Sequence, residues 1–398
     1  MLKRPAGLLA LILALSLLTG CWSKREMNEL AIVVGIGVDK IGSQFKVTFQ
    51  VVDPGEVAPK KSSGGRSPIT VYESTGDTYL EAMRRITTKS PRQMYPSHLR
   101  VLVIGESVAK EGLSDILDIF TRDWEHRSDF IALVSKGSSA SEVLKVLTPL
   151  DKIPANELYS SLETAEKKWA PVSVVTLDML INNMTAKGKE SVLSAVILKG
   201  PPDKGEERSN IDQIKPETYM QYAGLSVFKK DKLLGWMNES ESKGYNYITD
   251  NIHSTVHQAA CPDGGIAVLD LIRSKTTVKA GMKNGKPLVT ISLRSEENIG
   301  EMRCVMDLGK RENIQFLEKS VAGDIRSRMQ ESIEKAQELG SDVFGFGKKM
   351  YQKYPAYWKK VKGDWTSAFR ELEIEYDIQV NIRQLGRSNN SFINRLED

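Results

Sequence analysis

Apolar positions change their period several times along the chain, and each period predicts an element. Residues 30–38, LAIVVGIGV, are a β-branched run that reads as a buried strand. After a turn at Asp39–Gly42, Phe45, Val47, Phe49 and Val51 alternate with Lys46, Thr48 and Gln50. That period of two gives a strand with one apolar face, and the two strands predict a β-hairpin. Residues 53–68, DPGEVAPKKSSGGRSP, read as an exposed loop. A β-α-β pattern follows. Strands are predicted at 69–73, 99–104 and 130–134. A helix over 77–87 places Leu80, Met83 and Ile86 on one side. A second helix, over 112–127, gathers Leu113, Ile116, Leu117 and Phe120. Helices dominate to about residue 184, and a strand covers 192–198.

Residues 200–216, GPPDKGEERSNIDQIKP, are charged and carry three prolines, which suits a domain boundary. Beyond them, strands are predicted at 224–228, 232–237, 266–278 and 287–293. Ile314, Leu317, Val321, Ile325, Met329, Ile333 and Ala336 step by threes and fours, the core-facing stripe of a long helix. Gly340 suits its C-terminal cap. Trp358, Val361, Trp365 and Phe369 mark one more helix face. Leu372, Ile374, Tyr376, Ile378, Val380 and Ile382 alternate strictly with polar residues, so the chain closes on a half-buried strand. The pattern predicts a mixed α/β (α+β) protein of two to three domains, with mixed sheets and packed helices. Its segments are 1–20, 21–199 (one or two modules), a 200–216 linker, and 217–398.

The first twenty residues are different material. Lys3 and Arg4 precede an apolar run, residues 6–18, that is too short to span a bilayer, and small residues follow. This order predicts a secretion signal. Leu18-Thr19-Gly20-Cys21 resembles the bacterial lipobox, in which the cysteine becomes the lipidated first residue of the mature protein. Diacylglyceryl modification at Cys21 would supply two acyl chains, enough to hold a protein at a membrane. The whole chain is 40% hydrophobic and 27% charged, which excludes a multi-span membrane protein. A net charge of +4, with no basic block, leaves no footprint for nucleic acid. Cys261 and Cys304 remain. Export permits a disulfide, but two cysteines make no framework, and buried free thiols are the expectation.

Candidate chemistry is sparse. His253 and His257 share a face at a spacing of four, without an HExxH pattern or a nearby cysteine, so a solvated or half-buried pair is expected rather than a metal site. Ser226-Val-Phe-Lys229 has the Ser-x-x-Lys spacing, but on a strand residues i and i+3 point apart. Gly35-Ile-Gly37 and Gly345-Phe-Gly347 lack the remaining features of phosphate loops. Carboxylates such as Glu239 and Glu241 have no assignable partner. No catalytic residue, metal or cofactor is predicted. RDWEHR, residues 122–127, is a dense charge cluster. Arg122 with Glu125, and Asp123 with Arg127, fit helix-surface ion pairs, or together a partner-facing surface.

Four blocks carry a family resemblance. CWSKREMNELAIVVGIGVDK (21–40), HLRVLVIGESVAKEGLSDILDIFTRDWEHR (98–127), GLSVFKKDKLLGWMNESESKG (224–244) and DVFGFGKKMYQKYPAYWKKVKGDW (342–365) resemble, in order, the Ger(x)C family. These are the lipoprotein C subunits of spore germinant receptors. The resemblance implies three α/β domains. It also implies a lipid anchor on the outer leaflet of the spore inner membrane and assembly with membrane-bound A and B subunits in a nutrient-responsive complex. Direct germinant binding is not assumed. The competing expectation is a lipid-anchored solute-binding protein of a transporter, a class that requires two similar lobes around a cleft.

Overall fold

The computed structural model describes residues 29–53, 67–122, 125–262 and 264–384. Cys21 and most of the 53–68 loop lie outside them. The first sheet contains β1 (Leu30–Ile41), β2 (Gln44–Val52), β3 (Ile69–Gly76), β4 (Gln93–Tyr95), β5 (Val101–Gly105), β6 (Ile131–Ser135), β7 (Val192–Lys199), β8 (Tyr219–Lys229) and β9 (Lys232–Met237). Their order is β3-β2-β1-β5-β6-β7-β8-β9, with β4 beside the start of β1. The predicted hairpin is β1–β2, with Val38 opposite Val47. β1, β5, β6 and β7 run parallel, and antiparallel strands flank them on both sides.

Parallel centres are covered on both faces, which is why VLVIG and IALVS are continuously apolar. Leu102 and Ile104 join a core under α1 (Tyr79–Arg85), α2 (Glu106–Glu111), α3 (Ser114–Arg122) and, further along, α6 (Leu177–Thr185). Val101 and Val103 join the opposite core under α4 (Ala140–Lys145) and α5 (Pro154–Lys168). The helix expected over 112–127 ends at Arg122.

The segment expected to separate two domains connects neighbouring strands of this sheet. β7 and β8 pair antiparallel across it, with Lys199 opposite Tyr219. Between them lie α7 (Pro202–Glu206) and α8 (Ser209–Asp212). Charge and proline disguise one anchoring residue, the buried Asn210. Its Nδ2 donates to Leu147 O (3.1 Å) and Thr218 O (2.9 Å), and its Oδ1 accepts from Thr218 N (2.9 Å).

The second sheet is β10 (Val256–Ala260), β11 (Ile266–Lys283), β12 (Lys286–Met302) and β13 (Glu373–Gln384), in that order. β11 and β12 form a long antiparallel ribbon, and β13 lies parallel to β12. One face packs against the predicted long helix, here α10 (Arg311–Leu339). Leu317, Val321, Ile325, Met329, Ile333 and Ala336 are its buried stripe, and Gly340 ends it in the left-handed conformation. Before the sheet lies α9 (Glu239–Ile248), which crosses α10. A Cβ at Gly244 would stand 2.0 Å from Arg328 O, so this crossing requires glycine. After α10 come α11 (Phe346–Lys353), α12 (Pro355–Val361) and α13 (Trp365–Arg370). A 3₁₀ turn at Lys362–Asp364 splits the single helix face expected over 358–369.

Cys261 and Cys304, expected as free thiols, are joined in a disulfide, with Cα atoms 6.4 Å apart. The turn after β10 folds back, with Cys261 N donating to Gly265 O. Arg303 N donates to Ile266 O, which sets the two cysteines opposite each other. Spacing alone conceals this, because 43 residues of ribbon separate them.

Candidate functional site

Two concave regions hold clustered charge. The first lies at the carboxyl ends of β1, β5 and β6, where open α/β sheets place their ligands. A crevice of about 450 Å³ there is lined by Asp39, Lys46, Glu106, Gly137 and Glu142, among others. Its backbone donors are taken by the chain itself. The buried Asp39 carboxylate accepts from Ala140 N (2.8 Å) and Ser141 N (2.9 Å) at the start of α4. Glu106 accepts from Gly137 N (3.2 Å), and Glu142 from Ser139 N (2.7 Å). A Cβ at Gly105 would meet Asp39 Oδ1 at 2.3 Å, so that glycine leaves room for the carboxylate. Burial pushes the Asp39 carboxyl up, and the two N–H donors offset part of that.

The second lies where the two sheets meet. Asn246 of α9 is buried there and donates to Ala170 O (2.9 Å) and Val172 O (2.7 Å), which follow α5. Beside this contact is a cleft of about 400 Å³ lined by Trp169, Glu239, Lys243, Val256, Gln258, Asp324 and Arg328. The Lys243 side chain is 4% exposed. Its ammonium lies 3.1 Å from Glu239 and 3.4 Å from the Trp169 ring centre, and burial lowers its pKa. Arg328 Nε donates to Asp324 Oδ2 (2.9 Å).

Behind Asp324 the polar chain enters the core. His257 Nδ1 lies 2.7 Å from Asp324 Oδ2, and His257 Nε2 lies 2.6 Å from the Tyr247 hydroxyl. His257 Nε2 is also 4.0 Å from Oε1 of Glu297, whose side chain is 0% exposed. Burial pushes the Glu297 carboxyl up to about 8, and among the described residues neither of its oxygens has a hydrogen-bond partner. His257, expected with His253 as a solvated or half-buried pair, is buried, and its partners come from three other elements. His253 is exposed and lies outside this chain of contacts.

The remaining candidates separate cleanly. Ser226 Oγ donates to Leu193 O (2.7 Å), whereas Lys229 Nζ reaches Thr366 Oγ1 (2.9 Å), so the two do not meet. Gly35 and Gly37 make room within β1, against Leu144 and its neighbours. Gly345-Phe-Gly347 opens α11 around a buried carboxylate. Asp342 accepts from Phe346 N (3.0 Å), Gly347 N (2.6 Å) and Trp365 Nε1 (2.9 Å). Burial raises Asp342 to about 6 despite these donors.

Of the residues in the 122–127 cluster, the described ones make these contacts. Arg122 pairs with Asp118 (2.6 Å) and Arg127 with Asp129 (2.9 Å); Glu125 O accepts from Ser97 Oγ (2.9 Å), and Asp123 lies outside the described residues. Arg127 and Asp129 line a groove with Phe120, Leu177 and Ile181. Among the described residues no helix is long and apolar enough to cross a membrane, and no group of three or more His, Cys, Asp or Glu side chains is arranged to hold a metal.

A parallel-centred sheet joined to a four-stranded sheet under one long helix defines a two-unit α/β protein, with its charged cleft at the junction. Family models match both units: "Spore germination protein N-terminal domain" over residues 23–198, and "Spore germination B3/GerAC like, C-terminal" over 223–386. The chain belongs to this Ger(x)C family of spore germination proteins. It is 30% identical to spore germination protein KC of Bacillus subtilis over 98% of both chains. It is 25% identical to spore germination protein B3 of the same organism, covering 93% of this chain and 95% of that one. The solved structure of the GerBC protein has the same fold, with a TM-score of 0.55 and 20% identity, over 87% of this chain and 96% of that one.

Proposed function

We propose that the chain is a non-enzymatic lipoprotein subunit of a nutrient germinant receptor, tethered through Cys21 to the outer leaflet of the spore inner membrane. It acts by assembling with membrane-embedded A and B subunits. The observation that carries this reading is the nearly full-length match to relatives named as spore germination proteins, spanning both units. The Cys261–Cys304 disulfide supports export, since disulfides persist outside the reducing cytosol. The two dissimilar sheets speak against the solute-binding alternative, which needs paired lobes. Arg122, Glu125 and Arg127, with Asp123, remain the proposed partner surface. Affinity purification of the tagged full chain from detergent-solubilised spore membranes tests the assembly. Two multi-span membrane proteins are expected to co-purify in constant ratio; recovery of the chain alone would contradict it.

A further inference from the structure

We propose that the cleft between α5, α9, β10 and α10 binds a small carboxylate. The proposal is independent of the lipid anchor and of receptor assembly. Its centre is Arg328. The guanidinium uses Nε to hold Asp324, and among the described residues its two Nη groups make no hydrogen bond. An arginine fork with free Nη donors matches the two oxygens of a carboxylate. The second cation, Lys243, is fixed on the neighbouring helix, with its ammonium buried against Trp169.

Its carboxylate partner, Glu239, is 57% exposed, and such a partner is held weakly. An entering carboxylate can therefore replace Glu239 at Lys243 while engaging Arg328. With Glu239 turned to solvent, the entering carboxylate takes its place at Lys243, so the charge balance of the cleft is kept. The lining is mainly polar, with Trp169 and Val256 as its apolar part, and about 400 Å³ falls at the small end of ligand pockets. The crevice at Asp39 gives the contrast. There the chain's own carboxylates already occupy the donors, whereas at Arg328 the fork is left open.

The test uses the full chain in detergent, titrated with sodium isobutyrate against sodium chloride at equal ionic strength. Tryptophan fluorescence and melting temperature are read together. The expected result is a saturable, carboxylate-specific change in both. Trp169→Phe should abolish the fluorescence change but keep the melting shift. Arg328→Lys, which keeps the charge and loses the fork, should weaken binding at least tenfold. Equal responses to chloride and isobutyrate, or an unchanged affinity in Arg328→Lys, would overturn the proposal. A response to a blocked aspartyl peptide but to no free carboxylate would also overturn it, assigning the cleft to a protein partner. Should the variants fail to fold, crystals of the unaltered chain soaked in 4-bromobenzoate decide the matter. Bromine anomalous density beside Arg328 is expected; density absent there contradicts the site.

Discussion

The carboxyl end of the first sheet and the cleft at the second sheet use the same side-chain chemistry to opposite ends. At the first, Asp39, Glu106 and Glu142 fill a place where α/β proteins receive ligands, and the crevice becomes a structural joint between β1 and α4. At the second, two carboxylates and two cations are balanced loosely enough to leave the fork of Arg328 open, and behind Asp324 lie the buried His257 and, 4.0 Å beyond it, the Glu297 carboxyl. The fold type alone would point to the first region. Which donors are already taken points to the second.

The buried Glu297 carboxyl should give the largest effect. Burial pushes the Glu297 carboxyl up to about 8 in the folded chain, against an ordinary 4.5. Between these values the unfolded chain loses its proton while the folded chain keeps it. Stability is therefore full below about pH 4.5 and falls as pH rises toward 8, by roughly 4 kcal/mol for a shift of this size. Glu297→Gln should flatten that part of the urea-denaturation profile and make the protein more stable than wild type at pH 8. A profile as steep as wild type would remove Glu297 from this role.

Opening the disulfide should follow in size. Closing 43 residues is worth about 3–4 kcal/mol. Cys261→Ala with Cys304→Ala should lower the urea midpoint accordingly, and reductant should affect the wild type alone. Asp39→Asn tests the filled crevice. The amide cannot accept from both Ala140 N and Ser141 N, so a cost of about 2 kcal/mol is expected. A neutral outcome would mean that the carboxylate is not the joint between β1 and α4. The smallest effect belongs to the surface cluster. Arg122 and Arg127 pair on the exterior. Their alanine variants should melt like wild type yet lose membrane partners in co-purification, and retained partners would move the docking surface elsewhere.

Period carried much of the fold into view. Strict alternation from Leu372 to Ile382 became β13, and the threes and fours from Leu317 to Ala336 became the buried stripe of α10. Helix α9 was hidden because ESESKGYNYI has little apolar periodicity and is held by its crossing with α10. The legible signal was local, a capping box in which Asn238 and Glu241 satisfy each other's backbone. The cleft was not legible at all. Trp169, Lys243 and Arg328 are far apart in the chain, and only the packing of α9 against α10 brings them to one place. The lipidation proposed at Cys21, by contrast, rests wholly on sequence context, and the residue lies outside those the structure describes.

The central claim, a spore germination subunit that works from a lipid anchor at Cys21, is tested most directly in spores whose only copy carries Cys21→Ala. Incorporation of labelled lipid into the protein is measured together with nutrient-triggered germination. The account predicts that labelling disappears and that germination slows markedly, while the protein retains its wild-type melting temperature. Unchanged lipid labelling in the variant would contradict it.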